Sequence, residues 1–177
     1  LCGSRSFQAR LTEDYRSHRH RRHPDRDDVG RATSRFARSL VAGAGPVLHT
    51  PASVMPIRGV VLFLAGLGST KEKLAASKRS QIFEDAGYAV VLADHHNEGE
   101  CRDSSQSSNR AGWSKSQKAF FWPALHATAL GVPRLVDFAR QTYETDSVAG
   151  GGSSLGGDLL LTARAMRERR RRAGGVD

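Results

Sequence analysis

A serine flanked by glycines is the best-placed residue for chemistry in this 177-residue chain. Residues 146–158 read DSVAGGGSSLGGD, and Gly152, Ser154 and Gly156 fit the pattern G-x-S-x-G. The pattern predicts a strand end, a sharp turn and a helix start, because glycines let two elements pack closely around a strained serine. A helix that begins at Leu155 would turn unpaired backbone NH groups and its positive dipole end toward the space above Ser154. Negative charge that develops on an oxygen there would be stabilised.

The same pattern also has a purely structural interpretation, a glycine-rich turn with a solvated serine. Glycine and serine are frequent in this sequence, and a match by chance is expected in roughly one such chain in five. The elements that surround the motif must therefore decide between the two interpretations.

The alternation of elements indicates an α/β fold with a doubly wound, mostly parallel sheet. Continuous β-branched and apolar runs are typical of parallel strands that are buried on both faces, and each such run here is followed by helical spacing. Gly131 and Pro133 are expected to interrupt or kink the long helix. The predicted strands are Val47–Thr50, Ile57–Leu64, Tyr88–Ala93 and Ser147–Ala149, and the predicted helices are Lys71–Ala86, Phe120–Gln141 and Gly157–Arg172.

The net charge of +9 lies in the two flanks of the chain. Residues 1–40 contain ten arginines and five acids, residues 164–177 contain six arginines and two acids, and the residues between them are balanced. A nucleic-acid-binding domain would carry its basic surface on ordered elements, so a nucleic-acid partner is possible but not favoured. We expect residues 1–40 to be a disordered Arg/His-rich segment, 41–166 to form the domain and 167–177 to be a basic tail.

Cys2 and Cys101 are the only cysteines, which leaves no disulfide framework. The longest apolar run is too short to cross a bilayer, so no membrane span is expected. We therefore expect a soluble protein and favour the cytoplasm. The oligomeric state cannot be inferred from the sequence.

Over about residues 57–166, the chain resembles the α/β-hydrolase superfamily. VVLFLAGLGSTKEK is similar to the family's first apolar strand, its H-G-x-G loop and its first helix. DHHNEGEC, at 94–101, is similar in position to the D-x-R-G-x-G-x-S loop, and GSSLGG matches the nucleophile elbow. The first loop looks closest to serine esterases and to dienelactone-hydrolase-like and acyl-peptidase-like members.

The resemblance implies a catalytic role for Ser154, as the nucleophile that attacks an ester, thioester or amide of a small-molecule acyl substrate. Backbone NH groups of Leu67 and Leu155 would form the oxyanion hole. Gly152, Gly156 and Gly157 would be the elbow glycines. No cofactor and no metal are expected.

The chain departs from the family pattern in two places. Ala65 stands where members usually have histidine, and the 23 residues after Ser154 include acids but no histidine. We therefore expect an N-terminal part of a hydrolase that is inactive alone, marginally stable and open at the edge of the Ser154 strand. Asp158, in the first helical turn, would favour the helix dipole.

An earlier histidine could replace the missing one. His96 would need to reach Ser154 and be oriented by Asp94 or Glu98. The simpler interpretation makes Asp94, His95, His96 and Glu98 a substrate-side loop, and metal binding by this loop, including Glu100 and Cys101, fits no familiar spacing.

Two other functions remain open. The chain could be a non-catalytic, hydrolase-like binding module whose basic arms contact acidic partners or nucleic acid. It could also be a nucleotide-binding doubly wound domain, although neither G-x-G-x-x-G after the first strand nor G-x-x-x-x-G-K-[ST] occurs.

Overall fold

A computed structural model describes residues 33–51, 56–102, 122–172 and 174 of the chain. Within these ranges a single sheet is flanked by helices. Its strands are β1 (Ala37–Val41), β2 (Gly45–His49), β3 (Val60–Leu64), β4 (Ala89–Ala93) and β5 (Val148–Gly152). The helices are α1 (Lys71–Ala75), α2 (Lys78–Asp85), α3 (Trp122–Tyr143) and α4 (Leu155–Arg172), and a 3-10 turn covers Gly99–Cys101.

The five strands form an open mixed sheet in the order β1-β2-β4-β3-β5. β3 runs parallel to both β4 and β5, with Val60 opposite Ala89 on one side and Val148 on the other. β1 and β2 form an antiparallel hairpin, and β2 is also antiparallel to β4. The α/β class and the parallel centre of the sheet are as predicted, while the hairpin makes one side of the sheet antiparallel.

The two central strands are buried along their whole length, VVLFL in β3 and AVVLA in β4. Because successive side chains in a strand point to opposite faces, each strand contributes to two cores. Leu62 and Val91 pack in the core beneath α3 and α4, whereas Val61 and Val90 pack in the core that includes Leu74 of α1. Helices thus cover both faces, which is the doubly wound arrangement.

The structure corrects three details of the sequence prediction. Residues 37–40, expected to be disordered, belong to β1, which packs as a hairpin because the glycines at its turn adopt a positive φ of 76° at Gly43 and 93° at Gly45. The helix predicted over 71–86 is two helices, separated at Ala76 and Ser77. Gly131 and Pro133 lie within a continuous α3. Residues 1–32, most of the predicted basic segment, lie outside the described part of the chain.

Tertiary packing explains why α3 continues through two residues that weaken helices. Its buried residues Ala129 and Leu135 join the main core on either side of the weak point. A Cβ atom at Gly131 would lie 3.1 Å from the Gly43 carbonyl oxygen, so glycine allows α3 to approach the β1–β2 turn. In the ranges described, none of the helices is both long and apolar enough to traverse a membrane.

Candidate active site

Ser154 lies in the tight turn that joins β5 to α4. β5 ends at Gly152 and α4 begins at Leu155, so the chain changes from strand to helix within two residues. Ser154 has a φ of 52°, in the left-handed region that non-glycine residues rarely adopt. A backbone held in this region costs free energy that the surrounding packing must offset, and such residues cluster at functional sites. Ser154 itself is exposed.

Two of the three predicted elbow glycines are required by close packing. A Cβ atom at Gly152 would lie 2.2 Å from the backbone carbon of Gly156. One at Gly156 would lie 2.3 Å from the carbonyl oxygen of Leu64 at the end of β3. Both distances are far shorter than real Cβ contacts, so neither site accepts a side chain without movement. At Gly157 the closest atom would be 3.6 Å away, and close packing does not explain that glycine.

The turn borders a cleft of about 410 Å³. The loop after β3 forms part of the cleft wall. This loop folds as a turn in which the Ser69 NH donates to the Gly66 carbonyl at 3.0 Å. The loop touches the elbow, because a Cβ at Gly66 would lie 3.0 Å from the Ser153 carbonyl oxygen. The cleft is lined by Gly66, Leu67, Ser69, Lys73, Leu74, Ser77, Arg79, Ser153 and Ser154.

The backbone donors predicted for an oxyanion hole remain available. In the described ranges, the NH groups of Leu67 and Leu155 donate to no backbone carbonyl, whereas the next two NH groups of the elbow are used. Gly156 NH donates to Ser153 at 3.1 Å and Gly157 NH donates to Ser154 at 2.9 Å. Leu67 borders the cleft and Leu155 directly follows Ser154. The two donors therefore belong to two separate segments, the loop after β3 and the elbow, and both segments border the cleft.

A buried cation links the loops that follow β3 and β4. The Lys71 side chain is 0 % exposed, and its Nζ lies 2.6 Å from Asp94 Oδ2 and 2.8 Å from Glu100 Oε2. The Lys71 backbone NH also donates to Asp94 Oδ1 at 2.7 Å. Glu72 completes the cluster, with Oε1 3.1 Å from the same Nζ. A Cβ atom at Gly99 would lie 2.2 Å from Asp94 Oδ2, so glycine lets the second loop fold over the carboxylate.

The electrostatics of this cluster keep Lys71 charged. Burial by itself would lower the pKa of Lys71, but its bonds to Asp94, Glu100 and Glu72 raise the pKa overall. Burial raises the pKa of Asp94 against the opposing effect of Lys71, and the bond from Lys71 lowers the pKa of Glu100. The cluster is best described as a structural clamp that holds the loop of the cleft in place.

The histidine-containing loop does not reach Ser154. The ring of His95 is buried, and its Nε2 bonds to the carbonyl oxygen of Ala65. Position 65 is the one at which the resemblance led us to expect a histidine. Burial lowers the pKa of His95. His96 is exposed, and its backbone NH donates to Thr128 Oγ1 at 2.9 Å. It lines a second cleft of about 260 Å³.

None of the four residues predicted on the substrate side lines the cleft of Ser154, and the residues described around that cleft include no histidine. Asp94, His95 and Glu98 are buried instead. The structure therefore gives no support to His96 as the base. Across the ranges that are described, no three His, Cys, Asp or Glu residues are grouped as a metal site.

A second buried polar cluster joins the hairpin to α3. His49 Nε2 lies 3.0 Å from Ser39 Oγ, and His49 Nδ1 lies 3.1 Å from the Tyr143 hydroxyl. The Tyr143 hydroxyl donates to the Thr50 carbonyl oxygen. Burial lowers the pKa of His49 and raises that of Tyr143. No residue of this cluster lines the Ser154 cleft, and its contacts connect β1, β2 and α3.

Comparison with solved structures identifies the fold. The chain is similar to the crystal structure of TT1662 from Thermus thermophilus, with a TM-score of 0.56 and 19% identity over 75% of this chain and 51% of that one. It is also similar to acetyl xylan esterase 1 from Thermoanaerobacterium sp. JW/SL YS485, with a TM-score of 0.52 and 16% identity over 81% of this chain and 54% of that one. The chain has the fold of the α/β-hydrolases.

The α/β-hydrolase fold agrees with the strand and helix order expected from the sequence resemblance. No family model matches the sequence, and no curated protein matches it significantly. The chain spans about half the length of the two solved structures, at 51% and 54%.

Sequence reasoning missed three basic residues of this region. Lys71 anchors the loop, while Lys73 and Arg79 line the cleft itself. Lys71 and Lys73 lie in the run KEK and Arg79 in the run KRS, and charged residues at a helix start ordinarily indicate a solvated face.

Proposed function

We propose that this chain carries the nucleophile of a serine hydrolase that acts on an ester, thioester or amide, with Ser154 as the attacking residue. The observation that carries the proposal is the strained φ of 52° at Ser154, in a two-residue turn where Gly152 and Gly156 admit no side chain. A solvated serine in an ordinary turn needs neither the strain nor the close packing of two elements. The α/β-hydrolase fold adds the expected setting, at the carboxyl end of a parallel strand.

The proposed reaction begins when the Ser154 hydroxyl attacks a carbonyl carbon and gives a tetrahedral oxyanion. The C–O, C–S or C–N bond then breaks, the leaving group takes a proton, and water hydrolyses the acyl-serine. Leu67 and Leu155 would donate their NH groups to the oxyanion. The loss of one such donor typically costs about 3 kcal/mol of barrier. Because the donors belong to the backbone, the Ala65 departure leaves them intact.

The general base must come from outside the residues that line the cleft. An unassisted serine hydroxyl is a poor nucleophile at neutral pH, and loss of a triad histidine in a serine hydrolase costs roughly 10⁶-fold in rate. Since the chain spans about half of the solved structures that it resembles, we propose that the acid and the histidine belong to a longer form of this protein. The chain by itself would then react slowly.

Labelling with a fluorophosphonate tests this proposal, because the reagent phosphonylates a hydroxyl that is aligned beside oxyanion donors. We expect slow labelling of the chain at Ser154, identified by mass spectrometry. Ser154→Ala should abolish the labelling. Ser153→Ala, which removes the adjacent hydroxyl in the same cleft, should preserve it.

The pH dependence of labelling tests the missing base. Without a histidine, the rate should keep rising with hydroxide concentration from pH 7 to pH 9. A rate that levels off near pH 7 would show that a histidine base is already present. Labelling that survives Ser154→Ala would refute the assignment of the nucleophile.

A further inference from the structure

The wall of the Ser154 cleft is positively charged. Lys73 projects from α1 and Arg79 from α2, and both side chains are exposed residues that line the same cleft as Ser154. None of the residues described along this cleft is an acid. A nucleophile that faces two cations and no carboxylate favours ligands with negative charge.

The acids nearest in sequence are already bonded to other groups. Glu72 pairs with the buried Lys71, and Glu84 pairs with Arg35 at 2.9 Å. Asp85 accepts a bond from Gln81 at 2.8 Å. Within the described ranges, neither Lys73 nor Arg79 forms an ion pair. Their charges are therefore available to a ligand.

We propose that the cleft selects substrates that carry an anionic group, a carboxylate or a phosphate, on the acyl chain or on the leaving group, and that Lys73 and Arg79 hold that group. This inference rests on the proposed function of Ser154 and adds the substrate class. The remaining lining includes Leu67 and Leu74, which would contact a short apolar spacer between the anion and the scissile carbonyl. A volume of about 410 Å³ accommodates a small molecule of this kind.

Equilibrium binding to a Ser154→Ala chain tests the charge preference without turnover. Isothermal titration would compare monomethyl adipate with dimethyl adipate, which differ in one carboxylate at equal length. A second arm would compare 4-acetoxybutyl phosphate with 4-acetoxybutanol. Each exposed ion pair contributes up to about fivefold in affinity, so we expect roughly 10-fold or more in favour of the charged ligand in at least one arm. The arm with the larger preference identifies the anion.

Matched charge variants assign the preference to the cleft. Lys73→Gln/Arg79→Gln should reduce the preference to less than about twofold. Lys78→Gln/Arg169→Gln removes the same net charge from exposed residues that do not line the cleft, and should leave the preference unchanged. The preference should also fall as salt is raised. Far-UV circular dichroism confirms that each variant is folded.

Three outcomes would overturn the inference. The first is that charged and neutral ligands bind equally, or that neither binds detectably at millimolar concentration. The second is that the preference for the charged ligand persists in Lys73→Gln/Arg79→Gln. The third is that the Lys78→Gln/Arg169→Gln control loses this preference to the same extent. Because binding to Ser154→Ala does not require the nucleophile, a failure of fluorophosphonate labelling would refute the proposed function while leaving charge selectivity measurable. The two failures are thus distinguishable.

Discussion

The elbow glycines allow a prediction in which two neighbouring positions respond with opposite sign. In Gly156→Ala the new methyl group would lie 2.3 Å from the Leu64 carbonyl oxygen and 2.6 Å from that of Ala65. Ordinary contacts of a Cβ atom lie at 3.4–4 Å, so α4 must move away from the end of β3 by about 1 Å. That movement separates the buried Leu159 from the sheet. We expect a loss of about 3 kcal/mol of unfolding free energy.

Gly157→Ala provides the matched control one residue further along the helix. Its methyl group would have its closest neighbour at 3.6 Å, an ordinary contact. Because alanine favours the helical backbone over glycine, this substitution should stabilise the chain by about 0.5–1 kcal/mol. Gly152→Ala, whose methyl group would lie 2.2 Å from Gly156, should destabilise it about as much as Gly156→Ala.

Urea unfolding followed by far-UV circular dichroism measures these differences. With a urea dependence of about 2 kcal/mol per M, a loss of 3 kcal/mol lowers the midpoint by about 1.5 M, and the Gly157→Ala midpoint should rise by about 0.3–0.5 M. Fluorophosphonate labelling at Ser154 should fall in Gly156→Ala and persist in Gly157→Ala. Equal midpoints for the two variants would refute the close strand-to-helix packing on which the elbow depends.

Two further predictions concern the buried charges and histidines. Lys71→Met should destabilise the chain by about 3–5 kcal/mol, because it leaves the buried carboxylate of Asp94 without its cation. Adding Asp94→Asn to Lys71→Met should recover more than about 1 kcal/mol of unfolding free energy, measured by urea unfolding of the two single variants and the double variant. Burial lowers the pKa of His49 and His95 in the folded chain. The unfolded chain therefore binds more protons than the folded chain below about pH 6.5. The free energy of unfolding should fall as the pH drops from 7.5 to 5.5. Replacing both histidines with glutamine should flatten this pH dependence. An unchanged slope of unfolding free energy against pH would contradict the inference that His49 and His95 are buried in their neutral form.

The elements built from local pattern were predicted most accurately. The apolar runs that become β3 and β4 lie where the sequence placed them to within a few residues, and so does the helix end predicted at Ala86, which precedes Gly87 with its φ of 82°. The position of Ser154 between β5 and α4 also follows from the G-x-S-x-G pattern, because only glycines permit so tight a turn. Each of these features depends on residues adjacent in sequence.

The β1–β2 hairpin was missed because the arginine-rich composition of the first 40 residues obscured a short alternating segment. Phe36, Ala37, Ser39 and Val41 are at least partly buried, with Arg38 and Leu40 exposed between them. The glycines at 43 and 45 were the available turn signal. The interruption of α3 that Gly131 and Pro133 could have caused is absent for the opposite reason, since the packing of a buried helix outweighs their weak helix propensity.

The sequence by itself determined the order of the parallel strands β3, β4 and β5, the burial of the central strands and the turn that holds Ser154, because neighbouring residues and their periodicity encode these features. Only the tertiary structure decided that Lys71 is buried against Asp94, that His95 bonds to the Ala65 carbonyl, and that Lys73 and Arg79 share a cleft with Ser154. These contacts join residues from different loops and helices across the sheet. A basic side chain has the same sequence signature whether it is solvated or held in a site, and the packing of distant segments selects between the two.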